Sequence, residues 1–386
     1  MHIVFVNYSD FGGPSGIHIF HLANALSDMG ISSTVLVPFT PKGIQIFGDP
    51  HFDTASFAQA EDAFSRTNPN LIHAWTPRES TRWMTERLVA RHDIPYIIHL
   101  EDNEESILAG YLNAPSRPLR LWRWLRLYYN AQNRPLPHPK RYRHFIANAS
   151  GATVIVDALK KSVPAQIPTK TIWPACEDDV FSMPEEPDLS VRDEVGVPRD
   201  DFVITYPGNV HASNVDDVEI LYNAVLAARE RGIKISLIRI GRNYDRFSTD
   251  FSPVMDKYIF ELGDLDPKDI PTYLRASDML VQPGETNDFN EHRFPSKLPM
   301  FLASSRPVIL TNSVMTPHLT DGYNAIILRR GTCQEIVKAI ESLAQSRKRR
   351  IEMGRNGRDF ARERFSWAKT ADDVSAFYKL ILENNN

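Results

Sequence analysis

The sequence predicts an α/β protein built from two doubly wound domains. Short apolar runs alternate with helix-length amphipathic segments, and this alternation occurs in two series separated by a proline- and acid-rich segment at residues 174–187. Strands that alternate with helices form parallel sheets through right-handed crossovers. The length of 386 residues also exceeds what one hydrophobic core usually organises, so we expect two domains.

The first series opens with a strand, a loop, a helix and a second strand. Residues 3–6 are a short apolar run, a glycine-rich loop follows at residues 12–16, and apolar residues recur at helical spacing over residues 17–29. Gly30 ends this helix, and residues 34–37 form the next strand. We expect further strands at residues 71–75, 96–100 and 153–156, and helices near residues 55–66 and 79–90.

The second series repeats the alternation after residue 187. Strands are expected at residues 202–206, 236–240, 279–281, 308–311 and 325–328, and helices near residues 215–231, 268–276, 298–303 and 335–344. A final helix over residues 368–382 follows Phe365-Ser366-Trp367. Its apolar face is predicted to contain Val374, Phe377, Tyr378 and Ile381.

Charge and cysteine content narrow the class of protein. The formal net charge of −4 argues against nucleic acid as an electrostatic partner. The two cysteines, Cys176 and Cys333, have no paired spacing, which fits a reducing compartment. The start MHIVFVNYSD has no basic region before its apolar run and is expected to be a first strand rather than a signal peptide. We therefore expect a cytoplasmic protein.

The stretch at residues 288–309, DFNEHRFPSKLPMFLASSRPVI, is the most informative part of the chain. Pro295-Ser296 before good helix formers predicts a helix start, with Ser296 capping free backbone amides. Such an N-terminus attracts anions, and Arg293 and Lys297 would add two cations. The alternative is a helix that packs through Leu298 and its apolar neighbours while both cations are solvated. The residues alone leave both interpretations open.

This stretch resembles the donor site of GT-B glycosyltransferases, in particular retaining family 4. One branch carries F-N-x-x-R-x-P-S-K-L-P, which is matched here by Phe289, Asn290, Arg293, Pro295, Ser296, Lys297, Leu298 and Pro299. The resemblance implies a GT-B architecture, which is two doubly wound Rossmann-like domains with a cleft between them. The expected domains are residues 1–174 on the acceptor side and 175–365 on the nucleotide-sugar donor side. Residues 366–386 would form a helix that crosses back to the first domain.

Two departures from the family pattern affect the expected site. Relatives place an Arg directly after the glycine equivalent to Gly208 and a Lys about five residues later, whereas this chain has Asn209 and Asn214. Two glutamates of the family, eight positions apart, correspond to His292 and Met300. The resemblance therefore implies that Glu285 or Glu291 holds the donor ribose instead, or that the donor is held differently.

Polar residues also follow two strands of the first domain, at the edge where open α/β sheets bind ligands. Trp75 and Arg78 follow one strand. His99, Glu101 and Asp102 follow the next. These acids would position hydroxyls or stabilise positive charge at an anomeric carbon, or they would form a capping cluster for the following helix.

The loop at Gly12-Gly13 allows backbone amides to approach a phosphate, although tight turns need glycine too. It lacks the G-x-G-x-x-G spacing and the ribose-binding acid of dinucleotide-binding domains, which argues against a dehydrogenase. In the family that the chain resembles, the equivalent turn faces the donor. His18 and His21 share a helix face, but no third ligand accompanies them, so no metal is expected.

A basic and aromatic segment spans residues 117–145. It contains eight Lys or Arg residues and no acid. Helical spacing places Leu121, Trp122, Trp124, Leu125, Tyr128 and Tyr129 on one broad face, and Arg120, Arg123 and Arg126 on the other. Such a helix lies in an anionic membrane surface or contacts a lipid-phosphate acceptor, or it packs on the core with a solvated basic edge.

The resemblance, taken with these observations, implies a metal-independent glycosyltransferase without a cofactor. It would move a sugar from a nucleoside diphosphate sugar to a saccharide or lipid-linked hydroxyl, with retention, in cell-surface polysaccharide or glycoconjugate synthesis. The expected catalytic residues are Lys297, Arg293, Asp102 and Glu101. The expected donor-binding residues are Gly12, Gly13, Gly208, Asn209, His211, Asn214, Glu285, Asn290, Ser296, Lys297 and Leu298. The expected acceptor-side residues are Trp75, Arg78, His99, Arg123 and Trp124.

Two other functions remain open at this point. The absent acids at His292 and Met300 suit a catalytically silent nucleotide-sugar-binding subunit. A GT-B-like epimerase of nucleotide sugars would need acid and base groups that act without an acceptor. A peripheral contact with an anionic membrane is compatible with all three functions.

Overall fold

Two compact units make up the chain in the computed structural model, which describes residues 1–113, 115–129, 135–284 and 294–385. The first unit comprises Met1–Pro174 together with Trp367–Asn386, and the second comprises Ala175–Ser366. Each unit contains one parallel sheet with flanking helices. The predicted α/β class with two Rossmann-like units is therefore confirmed.

The sheet of the first unit has seven described strands. These are β1 (His2–Asn7), β2 (Ser32–Val37), β3 (Asp53–Ser56), β4 (Leu71–Trp75), β5 (Tyr96–Leu100), β6 (Gly151–Val154) and β7 (Thr169–Thr171). Their order is β3-β2-β1-β4-β5-β6-β7, and all neighbouring pairs are parallel. Val4 at the centre of β1 pairs with Thr34 and with Ile72. Both faces of such a sheet are covered, which explains why the run from Ile3 to Val6 is continuously apolar and fully buried.

Six helices of the first unit precede residue 174 in the described part of the chain. They are α1 (Pro14–Asp28), α2 (Ala60–Thr67), α3 (Glu79–His92), α4 (Glu104–Leu112), α5 (Arg117–Tyr129) and α6 (Arg141–Ala147). Two 3-10 helices, Ile44–Phe47 and Phe57–Gln59, precede α2, and a third, Asp157–Ser162, follows β6.

The second unit has a six-stranded sheet within the described residues. Its strands are β8 (Phe202–Pro207), β9 (Ile235–Ile240), β10 (Ile259–Glu261), β11 (Met279–Gln282), β12 (Val308–Thr311) and β13 (Ile326–Leu328). Their order is β10-β9-β8-β11-β12-β13, again parallel throughout. Its helices are α7 (Leu189–Val195), α8 (Val215–Glu230), α9 (Ile270–Leu274), α10 (Leu298–Ala303), α11 (Cys333–Ala344) and α12 (Arg347–Arg364). Its 3-10 helices are Asp178–Ser182, Ser252–Val254, Pro267–Asp269 and Thr316–His318.

The last helix, α13 (Trp367–Asn384), belongs to the first unit. The four residues predicted on its apolar face are all buried, and they join the same hydrophobic core as Ile3 and Phe5 of β1. Nδ1 of His73 on β4 lies 2.8 Å from the hydroxyl oxygen of Tyr378. The helix is thus attached to the first unit by apolar burial and by one buried polar contact.

The predicted helix at residues 55–66 is wrong at its start. Asp53–Ser56 instead forms β3, in which Thr54 pairs with Val35 of the neighbouring strand. Ser56 then forms a capping box with Gln59, and this box starts the helical turn at Phe57. Cross-strand pairing at the sheet edge therefore overrides the helical spacing of the apolar residues.

Several short or polar elements have no counterpart in the sequence prediction. β7 and β10 have only three residues each and lie at sheet edges, where no long apolar run is needed. Helix α12 contains many arginines and buries mainly small residues, including Gly354 and Gly357. A Cβ at Gly354 would lie 2.1 Å from the carbonyl oxygen of Ser305, so this helix packs by close backbone approach. Hydrophobic periodicity does not detect such a face.

No described helix is long and apolar enough to cross a membrane.

Candidate functional site

A pocket of about 190 Å³ lies in the second unit, where β8, β11 and β12 end. The predicted donor residues Asn209, His211, Asn214, Ser296 and Lys297 line it. Ligands of open α/β sheets bind at this carboxyl edge of the strands. The fold therefore brings together two predicted segments that are about 85 positions apart in the sequence.

The loop after β8 is held by its own asparagine side chains. Asn214 accepts a hydrogen bond from the backbone N–H of His211 at 2.8 Å and donates one to the carbonyl oxygen of Asn209 at 2.9 Å. The side-chain oxygen of Asn209 accepts from the N–H of Arg242 at 2.8 Å. The resemblance implies cations at both positions, whereas here the two amides fix the backbone of the loop.

Glycine is required where this loop begins. The backbone N–H of Gly208 donates to the carbonyl oxygen of Ile240 at 2.7 Å, and a Cβ at Gly208 would lie 2.4 Å from the Tyr206 hydroxyl. Gly208 does not line the pocket itself, so its part in any donor site is to set the path of the loop.

Lys297 supplies a positive charge to the pocket. Its ammonium nitrogen lies 5.9 Å from the centre of the Tyr206 ring. Leu298 is fully buried and does not line the pocket, so its predicted donor contact is not borne out by the structure.

The prediction that Ser296 caps the helix is wrong. Helix α10 begins at Leu298 with Lys297 at the N-cap, and no side chain caps it. The N–H of Leu298 donates to the carbonyl oxygen of Pro295 at 2.8 Å, which places Ser296 within a turn ahead of the helix. Because α10 has only six residues, the charge of Lys297 matters more here than the helix dipole.

Three of the predicted site residues lie outside the described part of the chain. They are Glu285, Asn290 and Arg293. Glu291 and His292 lie outside the described residues as well. Met300 lies within α10 and is partly buried.

The pocket also contains residues that sequence reasoning missed. Ser213 and Asp217 contribute from the β8 side, and Thr311, Asn312 and Ser313 contribute from the end of β12. The hydroxyl of Thr311 donates to the carbonyl oxygen of Gly284, and a Cβ at Gly331 would lie 2.2 Å from that same oxygen. Ligands of open α/β sheets bind where parallel strands end. Thr311 and its neighbours follow the apolar run of β12, so this signal in the sequence could have identified them.

In the first unit, Glu101 is the centre of a buried polar cluster. It accepts hydrogen bonds from the Ser15 hydroxyl, from Nε1 of Trp75 at 2.8 Å and from Nδ1 of His18 at 3.0 Å. Burial opposes its charge, but these donors and the nearby imidazoles lower the pKa of Glu101 to about 2. Glu101 is therefore a permanent carboxylate that orients His18 and Trp75.

Asp102 and Glu104 both face Arg78. Nη2 of Arg78 donates to Asp102 at 2.9 Å, and its guanidinium lies over the Tyr8 ring at 4.1 Å from the ring centre. Asp102 remains partly exposed, whereas Glu104 is buried at the start of α4. The side chain of Asn103 caps α4, because it accepts hydrogen bonds from the backbone N–H groups of Glu105 and Ser106. The capping role considered for the neighbouring acids therefore belongs to Asn103.

His99 and Trp75 pack against each other, with ring centres 4.0 Å apart. Nδ1 of His99 lies 2.8 Å from the Thr153 hydroxyl, and burial lowers the pKa of His99 to about 3. His99 is therefore neutral at physiological pH. Both side chains are almost fully buried, and they pack at the carboxyl ends of β4 and β5.

The glycine-rich loop precedes α1. Gly13 is the N-cap of this helix, and a Cβ there would lie 2.5 Å from the Ser9 hydroxyl oxygen. Around Gly12 no described atom lies within 4 Å of an added Cβ. Close packing against Ser9 therefore explains why residue 13 is a glycine, whereas the space beside Gly12 is open.

Helix α5 leaves exposed most of the broad apolar face that the spacing predicts. Trp124 and Tyr128 stack at 4.9 Å and are half-buried, and Leu127 is fully buried. The apolar side chains Leu121, Trp122, Leu125 and Tyr129 are 39–77% exposed. Arg123, predicted on the solvated side, donates to the carbonyl oxygens of Tyr111 and Asn113. Full packing of this face on the core, one of the alternatives that the sequence left open, is therefore not what the described residues show.

Within the described residues, no group of three or more His, Cys, Asp or Glu side chains is arranged to hold a metal ion.

Known proteins resemble this chain both in sequence and in fold. Residues 201–346 match the family model described as glycosyl transferases group 1. Over its whole length the chain resembles HepE from Anabaena, solved in complex with UDP, with a TM-score of 0.67 at 13% identity and coverage of 98% of this chain and 100% of that one. HepE has also been solved in complex with UDP-glucose. The chain also resembles sucrose-phosphate synthase from Thermosynechococcus elongatus, with a TM-score of 0.68 at 14% identity and full coverage of both chains.

A curated relative extends the match beyond the family model. D-inositol 3-phosphate glycosyltransferase from Corynebacterium kroppenstedtii is 25% identical over 197 residues, which is 49% of this chain and 42% of that protein. The chain therefore spans less than half the length of this relative. The predicted resemblance is confirmed: the chain has the GT-B fold, and residues 201–346 match the glycosyl transferases group 1 model. Assignment to family 4 stays a prediction.

Proposed function

We propose that this protein is a glycosyltransferase that moves a sugar from a nucleoside diphosphate sugar to a hydroxyl of a saccharide or lipid-linked acceptor, with retention. The observation that carries the proposal is the pocket of the second unit, in which Lys297 and the amide-fixed loop after β8 meet within the group 1 domain. The matched F-N-x-x-R-x-P-S-K-L-P pattern supports the same site.

The difficult event in such a reaction is the departure of a diphosphate that gains negative charge. A preorganised cation placed where this charge develops stabilises the transition state more than the ground state. We assign this role to Lys297, with Arg293 as the second cation that the sequence predicts. Ser213, His211 and Thr311 supply hydroxyl or imidazole groups for the remaining polar contacts of the donor.

Asn209 and Asn214 would act on the donor indirectly. Their side chains are used in hydrogen bonds to the loop backbone, so they hold the pocket in shape and add no charge. A donor diphosphate would therefore depend on few cations, and its binding should be sensitive to the loss of any one of them.

The first unit would hold the acceptor, in a cytoplasmic protein of cell-surface polysaccharide or glycoconjugate synthesis. Trp75, His99 and Glu101 are buried or hydrogen-bonded and would support the acceptor side rather than react. Asp102, which is paired with Arg78 but partly exposed, is the predicted acid best placed to contact a hydroxyl.

Incubation of the purified chain with UDP-glucose tests this proposal, because the HepE complexes make UDP-glucose the first donor to try. We expect slow hydrolysis to glucose and UDP without an acceptor. A thermal-shift screen against UDP, GDP, ADP and dTDP sugars identifies the base, since a ligand that binds only the folded state raises the melting temperature. Binding without any turnover would favour the catalytically silent subunit, and an epimerised nucleotide sugar would favour an epimerase.

We further propose a peripheral contact between α5 and an anionic membrane. The exposed stripe of Leu121, Trp122, Leu125 and Tyr129 is flanked by the exposed cations Arg117, Arg120 and Arg126. An apolar stripe with flanking cations suits the interface of a bilayer rich in anionic lipids.

A further inference from the structure

The loop after β8 presents a histidine to the pocket of the second unit. Val210 is fully buried, its N–H donates to the carbonyl oxygen of Arg242 at 2.8 Å, and its own carbonyl oxygen accepts from the N–H of Tyr244 at 2.7 Å. Successive side chains of an extended segment point to opposite sides. His211 therefore lies on the side away from the core, where it lines the pocket.

His211 is held in place where α8 begins. Its backbone N–H donates to the side-chain oxygen of Asn214 at 2.8 Å, and its carbonyl oxygen accepts from the N–H groups of Asn214 and Val215. Nδ1 of its ring lies 2.8 Å from the hydroxyl oxygen of Ser213, which also lines the pocket. Backbone and ring are thus both positioned by the protein itself.

The second nitrogen of the ring is available to a ligand. His211 is half-buried, and its Nε2 is solvent-accessible and has no hydrogen-bond partner among the described residues. No carboxylate in the described part of the chain pairs with this ring. The Ser213 hydroxyl can donate to an unprotonated Nδ1 or accept from Nδ1–H, so both protonation states of His211 are accommodated.

The charges of the pocket show what a protonated His211 would add. Among the described lining residues, Lys297 carries a formal positive charge, Asp217 carries a formal negative charge, and the rest apart from His211 are neutral. A nucleoside diphosphate sugar brings a negative charge on each phosphate. While His211 is neutral, the described lining therefore offers such a ligand no net positive charge.

His211 is also the group here that can change its charge near neutral pH. The other titratable or charged groups on the surrounding elements are Tyr206 on β8, Asp216 and Asp217 on α8, Lys297 at the start of α10, and the ion pair of Arg242 and Asp264, whose atoms are 2.7 Å apart. Histidine is the side chain that ordinarily titrates between pH 5 and 8. An anion placed beside an imidazole favours its protonated form.

We propose that His211 binds the diphosphate of the donor as an imidazolium, so that donor binding takes up a proton from the solvent. In the bound state Nδ1–H donates to the Ser213 hydroxyl and Nε2–H donates to a phosphate oxygen. Charge-assisted hydrogen bonds of this kind are roughly twice as strong as neutral ones. This inference rests on the proposed glycosyltransferase function and adds to it a dependence of donor affinity on pH.

Calorimetric titration of the full chain with UDP-glucose tests the proposal. Unlike UDP, this ligand has no terminal phosphate that titrates near neutral pH. We expect its affinity to rise about tenfold from about pH 8 to about pH 5.5. Titrations at neutral pH in buffers of different ionisation enthalpy should show net proton uptake. Uridine, which has no phosphate, should show neither effect.

Two substitutions separate the charge of His211 from its shape. His211→Gln keeps an N–H donor but cannot be protonated, so its affinity for UDP-glucose should not depend on pH and its binding should take up no proton. His211→Lys carries a lasting positive charge, so at about pH 8 it should bind UDP-glucose about tenfold more tightly than the unaltered chain. His144→Gln is the matched control, because His144 is an exposed histidine on α6 of the first unit, and it should leave proton uptake unchanged.

The outcomes separate this inference from the donor proposal. Binding of UDP-glucose without proton uptake, or with uptake that persists in His211→Gln, would overturn the role of His211 and leave the donor site in place. A loss of affinity at every pH in a folded His211→Lys variant would also overturn it, because shape and not charge would then decide binding. Absence of UDP-glucose binding at every pH would instead contradict the donor proposal itself, and this inference would fall with it.

Discussion

Lys297 is the single side chain on which the donor proposal depends most. Its proposed partner is the diphosphate, so Lys297→Ala should weaken UDP binding by about 1.5–3 kcal/mol and leave uridine binding nearly unchanged. Calorimetric titration with both ligands measures the difference. An equal loss for UDP and uridine would reject the phosphate role.

The neighbouring residue provides the control for Lys297. Leu298 is fully buried, so Leu298→Ala should lower the free energy of unfolding by about 2–5 kcal/mol through the cavity it leaves. Its effect on UDP and on uridine should be the same, in contrast to that of Lys297→Ala.

Glu104 should make the stability of the protein depend on pH. Burial, partly offset by Arg78 and reinforced by Asp102 and Glu101, raises the pKa of Glu104 from 4.5 to about 7. The folded state therefore favours the protonated form, so the stabilisation is present in full below pH 4.5 and is lost as the pH rises to about 7. The difference corresponds to about 3 kcal/mol.

Denaturant unfolding of the unaltered chain and of Glu104→Gln at several pH values measures this effect. The variant should become the more stable of the two as the pH rises from about 4.5 to 7. Glu219→Gln should instead be destabilising at neutral pH, because hydrogen bonds from Ser248 and Thr249 lower the pKa of Glu219 against the effect of burial. A constant difference between Glu104→Gln and the unaltered chain across this range would show that Glu104 does not titrate there.

At the scale of one element, α5 combines a buried and an exposed apolar side. If the exposed side contacts an anionic bilayer, replacing both Trp122 and Leu125 by Ala should reduce co-sedimentation with phosphatidylserine vesicles without lowering the melting temperature. Arg120→Gln with Arg126→Gln should reduce it further, by about 1 kcal/mol per charge, and the effect should fall at higher salt.

Leu127→Ala is the internal control for α5. Leu127 is buried on the opposite side, so its truncation should destabilise the first unit and leave vesicle binding of the folded protein unchanged. If the unaltered protein fails to bind anionic vesicles at low salt, the exposed stripe has another partner and the membrane proposal is withdrawn.

For the whole molecule, the last helix completes the core of the first unit. The buried contact between Tyr378 and His73 should be worth about 1–3 kcal/mol, since Tyr378→Phe leaves Nδ1 of His73 without a partner. Gly151→Val should be more damaging, because a Cβ at Gly151 would lie 2.6 Å from Cδ1 of Ile381 and would displace α13. Urea unfolding of both variants tests this order, and an unchanged midpoint for Gly151→Val would show that the side chains of α13 make room for the larger residue.

The sequence alone determined the fold class and most elements of both sheets. The spacing of apolar residues is a local property of the sequence. It predicted the first and last residues of β4, β5 and β12 as the structure has them. The resemblance to GT-B glycosyltransferases, and not these local patterns, implied that Lys297 and the loop after β8 belong to one candidate site. The elements that the sequence did not predict are of two kinds. Helix α12 packs through small residues, and β3 forms by pairing at the edge of the sheet.

Only the tertiary structure decided which polar side chains remain available. Asn209 and Asn214 are used by the backbone of their own loop, Glu101 is used by Ser15, His18 and Trp75, and Glu104 is buried beside Arg78. It also decided which side of α5 is exposed. The physical reason is that burial and hydrogen bonding are set by partners far away in the sequence, whose positions no local pattern specifies.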